Sequence, residues 1–216
     1  MRHTQESTEI KVWDPLIRLF HWTLVISFTL DYLTGETLLG LHVQIGYLIA
    51  GLLLFRVVWG FIGSRHARFS DFLYPPGEII AYLKSLGSGH PRRYLGHNPA
   101  GGLMVLALLT SLGLTTISGL MMIETPEPVA ATLIPSAHAD DDDDDRREHR
   151  YAEDDDDEEN EAGFNEAYEE IHEFFANLTL LLVLLHIAGV VVSSRLHHEP
   201  LVRAMITGKK PADPPA

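Results

Sequence analysis

Four stretches of this 216-residue chain, at 16–33, 41–62, 101–123 and 174–194, are apolar for long enough to cross a lipid bilayer. A helix rises about 1.5 Å per residue, so about 20 mostly apolar residues match the thickness of the hydrocarbon core. Lipid offers the backbone no hydrogen-bond partners, so segments of this length must be helical. The pattern predicts an all-α membrane protein: a four-transmembrane-helix bundle forming one domain over residues 1–216. The first stretch is the least apolar, because it carries Arg18 near one end and Asp31 near the other. Both are placed to snorkel toward an interface. The first fifteen residues are polar and run straight into that stretch, which predicts no cleavable leader.

Charge is segregated as sharply as hydropathy. Of the 30 acidic residues, 21 lie between Glu124 and Glu173, with only Arg146, Arg147 and Arg150 to oppose them. That segment carries a net −18 and the remainder +4. Runs such as Asp140–Asp145 and Asp154–Glu159 repel themselves and bury nothing. The sequence therefore predicts a long acidic disordered loop, 125–170, between the third and fourth spans.

Orientation follows from Lys and Arg in the other connections. Arg65, Arg68, Lys84, Arg92 and Arg93 lie between the second and third spans, and Arg195, Arg203, Lys209 and Lys210 follow the fourth. The turn between the first two spans has no basic residue. Both termini are expected in the cytoplasm, with the acidic loop periplasmic. Within the 63–100 connection, Pro75-Pro76-Gly77 ahead of Glu78-Ile79-Ile80-Ala81-Tyr82-Leu83 reads as a short interfacial helix ending near Gly87.

Cysteine is absent, which excludes disulfides, thiolate-held iron–sulfur clusters and haem attached through a Cys-x-x-Cys-His motif. Histidine carries the chemistry instead. An ionisable side chain inside a membrane span is costly and marks a functional site. His21, His42, His172 and His186 lie in or at the ends of the spans. His172 and His186 are 14 residues apart, a spacing that returns to within about 40° of one helix face and covers about 21 Å. One helix thus presents two imidazoles inward, one near each membrane surface. Antiparallel topology assigns the partners: His42 opposite His172 near the outer face, and His21 opposite His186 in the cytoplasmic half. A bare zinc ion wants four ligands, or three and water. A haem supplies four nitrogens itself and needs only two axial imidazoles, so the pairs suit two non-covalent haems b. Gly46, one turn after His42, and Gly189, three residues after His186, lack side chains that would obstruct a flat macrocycle. Close helix packing explains such glycines nearly as well.

The motifs Val12-Trp13-Asp14-Pro15, Arg18-Leu19-Phe20-His21-Trp22, Leu41-His42-Val43-Gln44-Ile45-Gly46-Tyr47, Gly96-His97-Asn98-Pro99-Ala100-Gly101-Gly102, Leu185-His186-Ile187-Ala188-Gly189 and Met205-Ile206-Thr207-Gly208-Lys209 occur in this order. Together they resemble the bacterial cytochrome b561 family, which includes the b-type subunits of nickel–iron hydrogenases. The resemblance implies that the four span histidines ligate two haems in the pairing above. It also implies electron exchange with a quinone, a periplasmic c-type cytochrome or an attached redox subunit in the bacterial inner membrane. The acidic loop is not part of the family's usual pattern.

Arg18, one turn before His21, and Arg56, in the cytoplasmic half of the second span, are candidates to pair with haem propionates. Snorkelling to headgroups is the alternative. His97 suits a hydrogen bond to a quinone or propionate, or a plain turn. His66, His90, His197 and His198 read as surface residues, and His138 and His149 as weak cation binders. No acid–base or nucleophile set is visible, so any enzymatic role is that of a quinone-linked oxidoreductase. No nucleic-acid partner is expected. Two other readings stay open: a divalent metal transporter with an acidic, histidine-containing loop, and a structural anchor for a redox partner.

Overall fold

The computed structural model describes residues 9–35, 37–89, 92–123 and 145–212, with side-chain positions in the last stretch beginning at Glu166. Strand β1 (Glu9–Lys11) leads into α1 (Pro15–Thr34) and α2 (Leu39–Ile62). Two 3-10 turns (Arg65–Ala67 and Phe69–Asp71) and α3 (Pro76–Gly87) follow. Then come α4 (Pro99–Met121), α5 (Asp145–Leu196), α6 (Leu201–Thr207) and β2 (Lys209–Pro211). Helices α1, α2, α4 and the 166–196 part of α5 are each long and apolar enough to span a membrane. Their outward faces are large and apolar: Leu33, Leu54, Phe61 and Ile62 are each about two-thirds exposed. Such a belt is stable only against lipid.

Local chemistry sets where these helices begin. Asp14 caps α1 by accepting from the Ile17 N–H at 2.9 Å, with Pro15 as the first helical residue. Asn98 caps α4 in the same way, accepting from the Gly101 N–H at 2.7 Å ahead of Pro99. In each case a side-chain oxygen satisfies an orphan donor and the proline supplies a preset φ. The expected interfacial helix is α3. Of the segment expected to be disordered, residues 124–144 and the side chains of 145–165 lie outside the described residues. Glu166–Glu170 are helical, so the fourth span begins earlier than residue 174. Glu and Ala are good helix formers, and a helix nucleated by an apolar span propagates outward through them cheaply.

The bundle is built as two pairs. Helix α1 packs along α2, α4 packs more extensively along α5, and a narrower α2–α4 contact joins the pairs. Among the described residues α5 has no comparable contact with α1 or α2. The α4–α5 seam is lined by small polar residues, Ser111, Thr115 and Ser118 on α4 and Thr179 on α5, all buried. Ser111 Oγ and Thr179 Oγ1 lie 2.8 Å apart, a bridge between backbones brought close by small side chains.

Both chain ends meet on one face, called here the terminal face, together with the 63–98 connection. β1 and β2 pair antiparallel, Ile10 opposite Lys210. The Val12 and Trp13 N–H groups donate to the Gly208 carbonyl at 2.8 and 3.1 Å. Gly208 ends α6 in the left-handed region, φ 81°, which glycine adopts without strain. The buried hydrophobic cluster found among the described residues lies here, around Val12, Trp13, Ile17, Phe20, Ala67 and Ala204. Glu199, fully buried, accepts from Arg93 and lies 3.3 Å from the buried Lys210. Arg93 also donates to the Pro211 and Ala212 carbonyls. The opposite, far face carries the short α1–α2 turn and the far ends of α4 and α5.

Candidate functional site

His42, in the first turn of α2, and His172, on α5, meet at the far end of the bundle. Their ring centroids are 5.9 Å apart and their planes cross at 82°. His172 is held from α4. Its Nδ1 lies 2.8 Å from the Thr115 carbonyl oxygen and 3.5 Å from Ser118 Oγ. A carbonyl only accepts, so Nδ1 carries the proton and the lone pair sits on Nε2. Gly119 makes the approach possible, because a Cβ there would lie 2.9 Å from His172 Cε1. His42 is fixed in the same sense from α1. Its Nδ1 stands 3.0 Å from Asp31 Oδ1 and 3.4 Å from the Asp31 carbonyl oxygen. Both acceptors again direct the lone pair to Nε2. Asp31 does not snorkel; it turns to this ring.

At the other end, His21 on α1 and His186 on α5 are electrostatic neighbours but make no ring contact among the described residues. His21 lies edge-on to Trp22 at 5.1 Å, and its Nδ1 is buried without a partner. The same half of the bundle holds more buried nitrogens without a partner among the described residues: Arg18 Nε, Arg56 Nη1 and His97 Nδ1. Arg56, 3% exposed, lies under the rings of Phe69 at 4.9 Å and Phe72 at 5.7 Å. The field of Asp14 reaches it, but that carboxylate is occupied by Ile17 N–H, Trp59 Nε1 and Ser64 Oγ. Arg18 is committed in part to the C-terminal segment, donating from Nη1 to the Ile206 carbonyl. His97 lies between the Trp13 and Phe72 rings, 4.8 Å from each. Burial, then the positive charges of Arg56 and Lys210, push its pKa down to about 3, so the ring is neutral. Beside it the terminal face opens into a polar basin of about 920 Å³, lined among others by Lys11, His66, Arg92 and Tyr94.

These residues fit a haem at each level. Two metal–nitrogen bonds of about 2 Å, plus about 1 Å from each nitrogen to its ring centre, come to about 6 Å. The 5.9 Å separation of His42 and His172 matches that sum. At the terminal level the fit lies in the donor set, since unmatched guanidinium and imidazole nitrogens suit the propionates of a haem. A Cβ at Gly46 or Gly189 would meet nothing within 4 Å, leaving both backbones open. Among the described residues no group of three or more His, Asp or Glu could hold a bare metal ion.

Sequence comparison agrees with this geometry. The sequence model of the prokaryotic cytochrome b561 family matches residues 12–208. The chain belongs to that family. It is similar to the probable Ni/Fe-hydrogenase B-type cytochrome subunit of Azotobacter vinelandii, 28% identical over 128 residues, covering 46% of this chain and 52% of the relative. The corresponding subunit of Rhodobacter capsulatus is 23% identical over 139 residues, covering 50% and 52%. The chain thus spans about half the length of the curated relatives it matches. Membership of a b-type cytochrome family implies haem b.

Within this b561 fold, sequence reasoning missed three things. The Thr115 carbonyl is a backbone acceptor, which no residue type announces. Gly119 was hidden among other glycines, although Thr-x-x-Ser-Gly in an apolar span marks a close-packed helix face. Asp31 was visible as an intramembrane acid, but its partner was not.

Proposed function

We propose that the protein carries electrons across the bacterial inner membrane through two non-covalent haems b. His42 and His172 hold the far-face haem, and His21 and His186 the terminal-face haem. The observation that carries this reading is the His42–His172 pair: two imidazoles at axial-ligand spacing, each with its proton engaged at Nδ1. Haem iron supplies a one-electron couple, and with two imidazoles its coordination is full, so it exchanges electrons without binding oxygen. The protein's residues do the rest. Thr115, Gly119 and Asp31 orient the far-face rings, and α5 sets the levels about 21 Å apart along its axis. Arg56 and Arg18 offer donors to propionates at the terminal face.

The basic connection between α2 and α4 supports a cytoplasmic terminal face with both termini. The neutral His97, beside the α4 cap, suits a hydrogen bond to a quinone arriving from the membrane. The far-face haem then exchanges electrons with a periplasmic redox subunit or c-type cytochrome, and the hydrogenase-subunit relatives favour an attached redox partner. The protein purified in detergent is expected to show a reduced-minus-oxidised b-type spectrum and two acid-extractable haems per chain in a pyridine haemochrome assay. Absence of haem, or one haem per chain, overturns the reading.

A further inference from the structure

We propose that Asp31 is a positioning residue of the far-face site, fixing the His42 ring and lowering the reduction potential of the metal bound there. The proposal rests on the reading of His42 and His172 as axial ligands.

Asp31 lies on α1 ten residues beyond His21, about 15 Å further along the helix axis, at the level of His42 and His172. Its side chain is 15% exposed, and its Oδ1 makes no aligned hydrogen bond. Its nearest neighbour is His42 Nδ1, at 3.0 Å. The line to that nitrogen is off the N–H direction, so the contact is mainly electrostatic, and the Asp31 carbonyl shares the same ring proton. Among the described residues, the titratable groups that act on this carboxylate are His42 and His172, with neither Lys nor Arg. A carboxylate in a membrane span is costly and has to be matched by positive charge. Here two imidazoles face it, and the remaining positive charge is that of the metal they hold.

Two consequences follow from elementary electrostatics. A carboxylate against the distal nitrogen of a ligating histidine fixes the ring and makes it a stronger donor to the metal. A nearby fixed anion also stabilises the oxidised iron, which carries one more positive charge than the reduced form. Both lower the potential of the far-face haem.

The test is potentiometric titration, at one pH, of the detergent-purified holoprotein and its variants. His42→Ala first identifies the far-face haem as the one lost; if it loses none, the ligand reading fails whatever Asp31 does. Asp31→Asn is expected to keep both haems and raise the far-face midpoint alone. Poised at the native midpoint, its reduced-to-oxidised ratio should rise about tenfold, equivalent to about 59 mV for a one-electron couple. The low-spin ferric resonance of the same haem should move as the ring is released. Asp31→Glu should return both signals toward native. Unchanged potentials with both haems bound, or equal shifts of both haems, overturn the proposal. If Asp31→Asn loses the far-face haem, Asp31→Glu decides: haem recovered at the native potential upholds the proposal, and any other result overturns it.

Discussion

The two ends of the bundle solve the same problem in opposite ways. At the far face the rings of His42 and His172 meet, their centres 5.9 Å apart. Each is oriented by an acceptor on a neighbouring helix, Thr115 on α4 for His172 and Asp31 on α1 for His42. At the terminal face His21 and His186 make no ring contact, and several nitrogens on that side, His21 Nδ1 among them, lack partners among the described residues. Yet that end holds the buried hydrophobic cluster and a floor of β1, β2, α6 and the 3-10 turns. Buried donors without acceptors are costly. The far site is therefore preorganised by helix packing, whereas the terminal site holds buried donors that the proposed haem would satisfy. The molecule divides the labour, ligand geometry at one level and charge compensation at the other.

The largest effect expected from breaking this comparison is loss of one haem of two. His42→Ala and His172→Ala should each halve the haem content and leave the same residual spectrum, with His21→Ala and His186→Ala forming the complementary class. Four variants that each lose both haems would show that the levels are not independent. Next comes Glu199→Gln, which leaves Lys210 and Arg93 without their carboxylate. Removing one member of a buried ion pair costs about 3–5 kcal/mol. Thermal unfolding of the holoprotein should show that loss, with release of the terminal-face haem before the far-face one.

A smaller and opposite effect is expected from Gly119→Ala. The new Cβ would press on His172 at 2.9–3.0 Å, and overpacking of this kind costs about 1–3 kcal/mol. Haem-transfer kinetics to an acceptor such as apomyoglobin should show faster loss from the far face and no change at the terminal face. The smallest effect concerns Asp14. Burial alone would raise its pKa, but hydrogen bonds from Ser64, the Ile17 and Leu16 N–H groups and Trp59 outweigh it, holding the carboxyl below its ordinary 3.8. A lowered folded-state value means that the unfolded chain binds more protons in acid, so stability is present above pH 4 and lost as pH falls. Asp14→Asn keeps the helix cap. The native chain's advantage over it in pH-resolved unfolding should shrink below pH 4, without altering the far-face haem.

Much of this arrangement was legible in the sequence, for identifiable reasons. Span length and composition mark the four helices because lipid tolerates nothing else. The order of the histidines along antiparallel helices already set His42 opposite His172, and the 14-residue spacing needs only helical geometry. Asp31 was harder, since one acid near a helix end has two physical options, the interface or a neighbour, and its own sequence position does not choose. The clasp of Glu9–Lys11 with Lys209–Pro211 was invisible because three-residue strands have too little alternation to register. Arg93 and Glu199 likewise looked like two ordinary charges in loops 106 residues apart. The early start of α5 reflects cooperativity, in which a strong apolar span recruits turns that would not be helical alone.

The pairing of β1 with β2 also has a consequence for the order in which the molecule is made. Residues 9–13 leave the ribosome well before the partners that hold them, Gly208 through Pro211. At synthesis rates of about 5–20 residues per second, roughly 10–40 s separate the two. During that interval all four spans can enter the membrane while the floor beneath His21 stays open. The terminal level is thus open to an incoming cofactor during that interval, until β2 pairs with β1 and closes it.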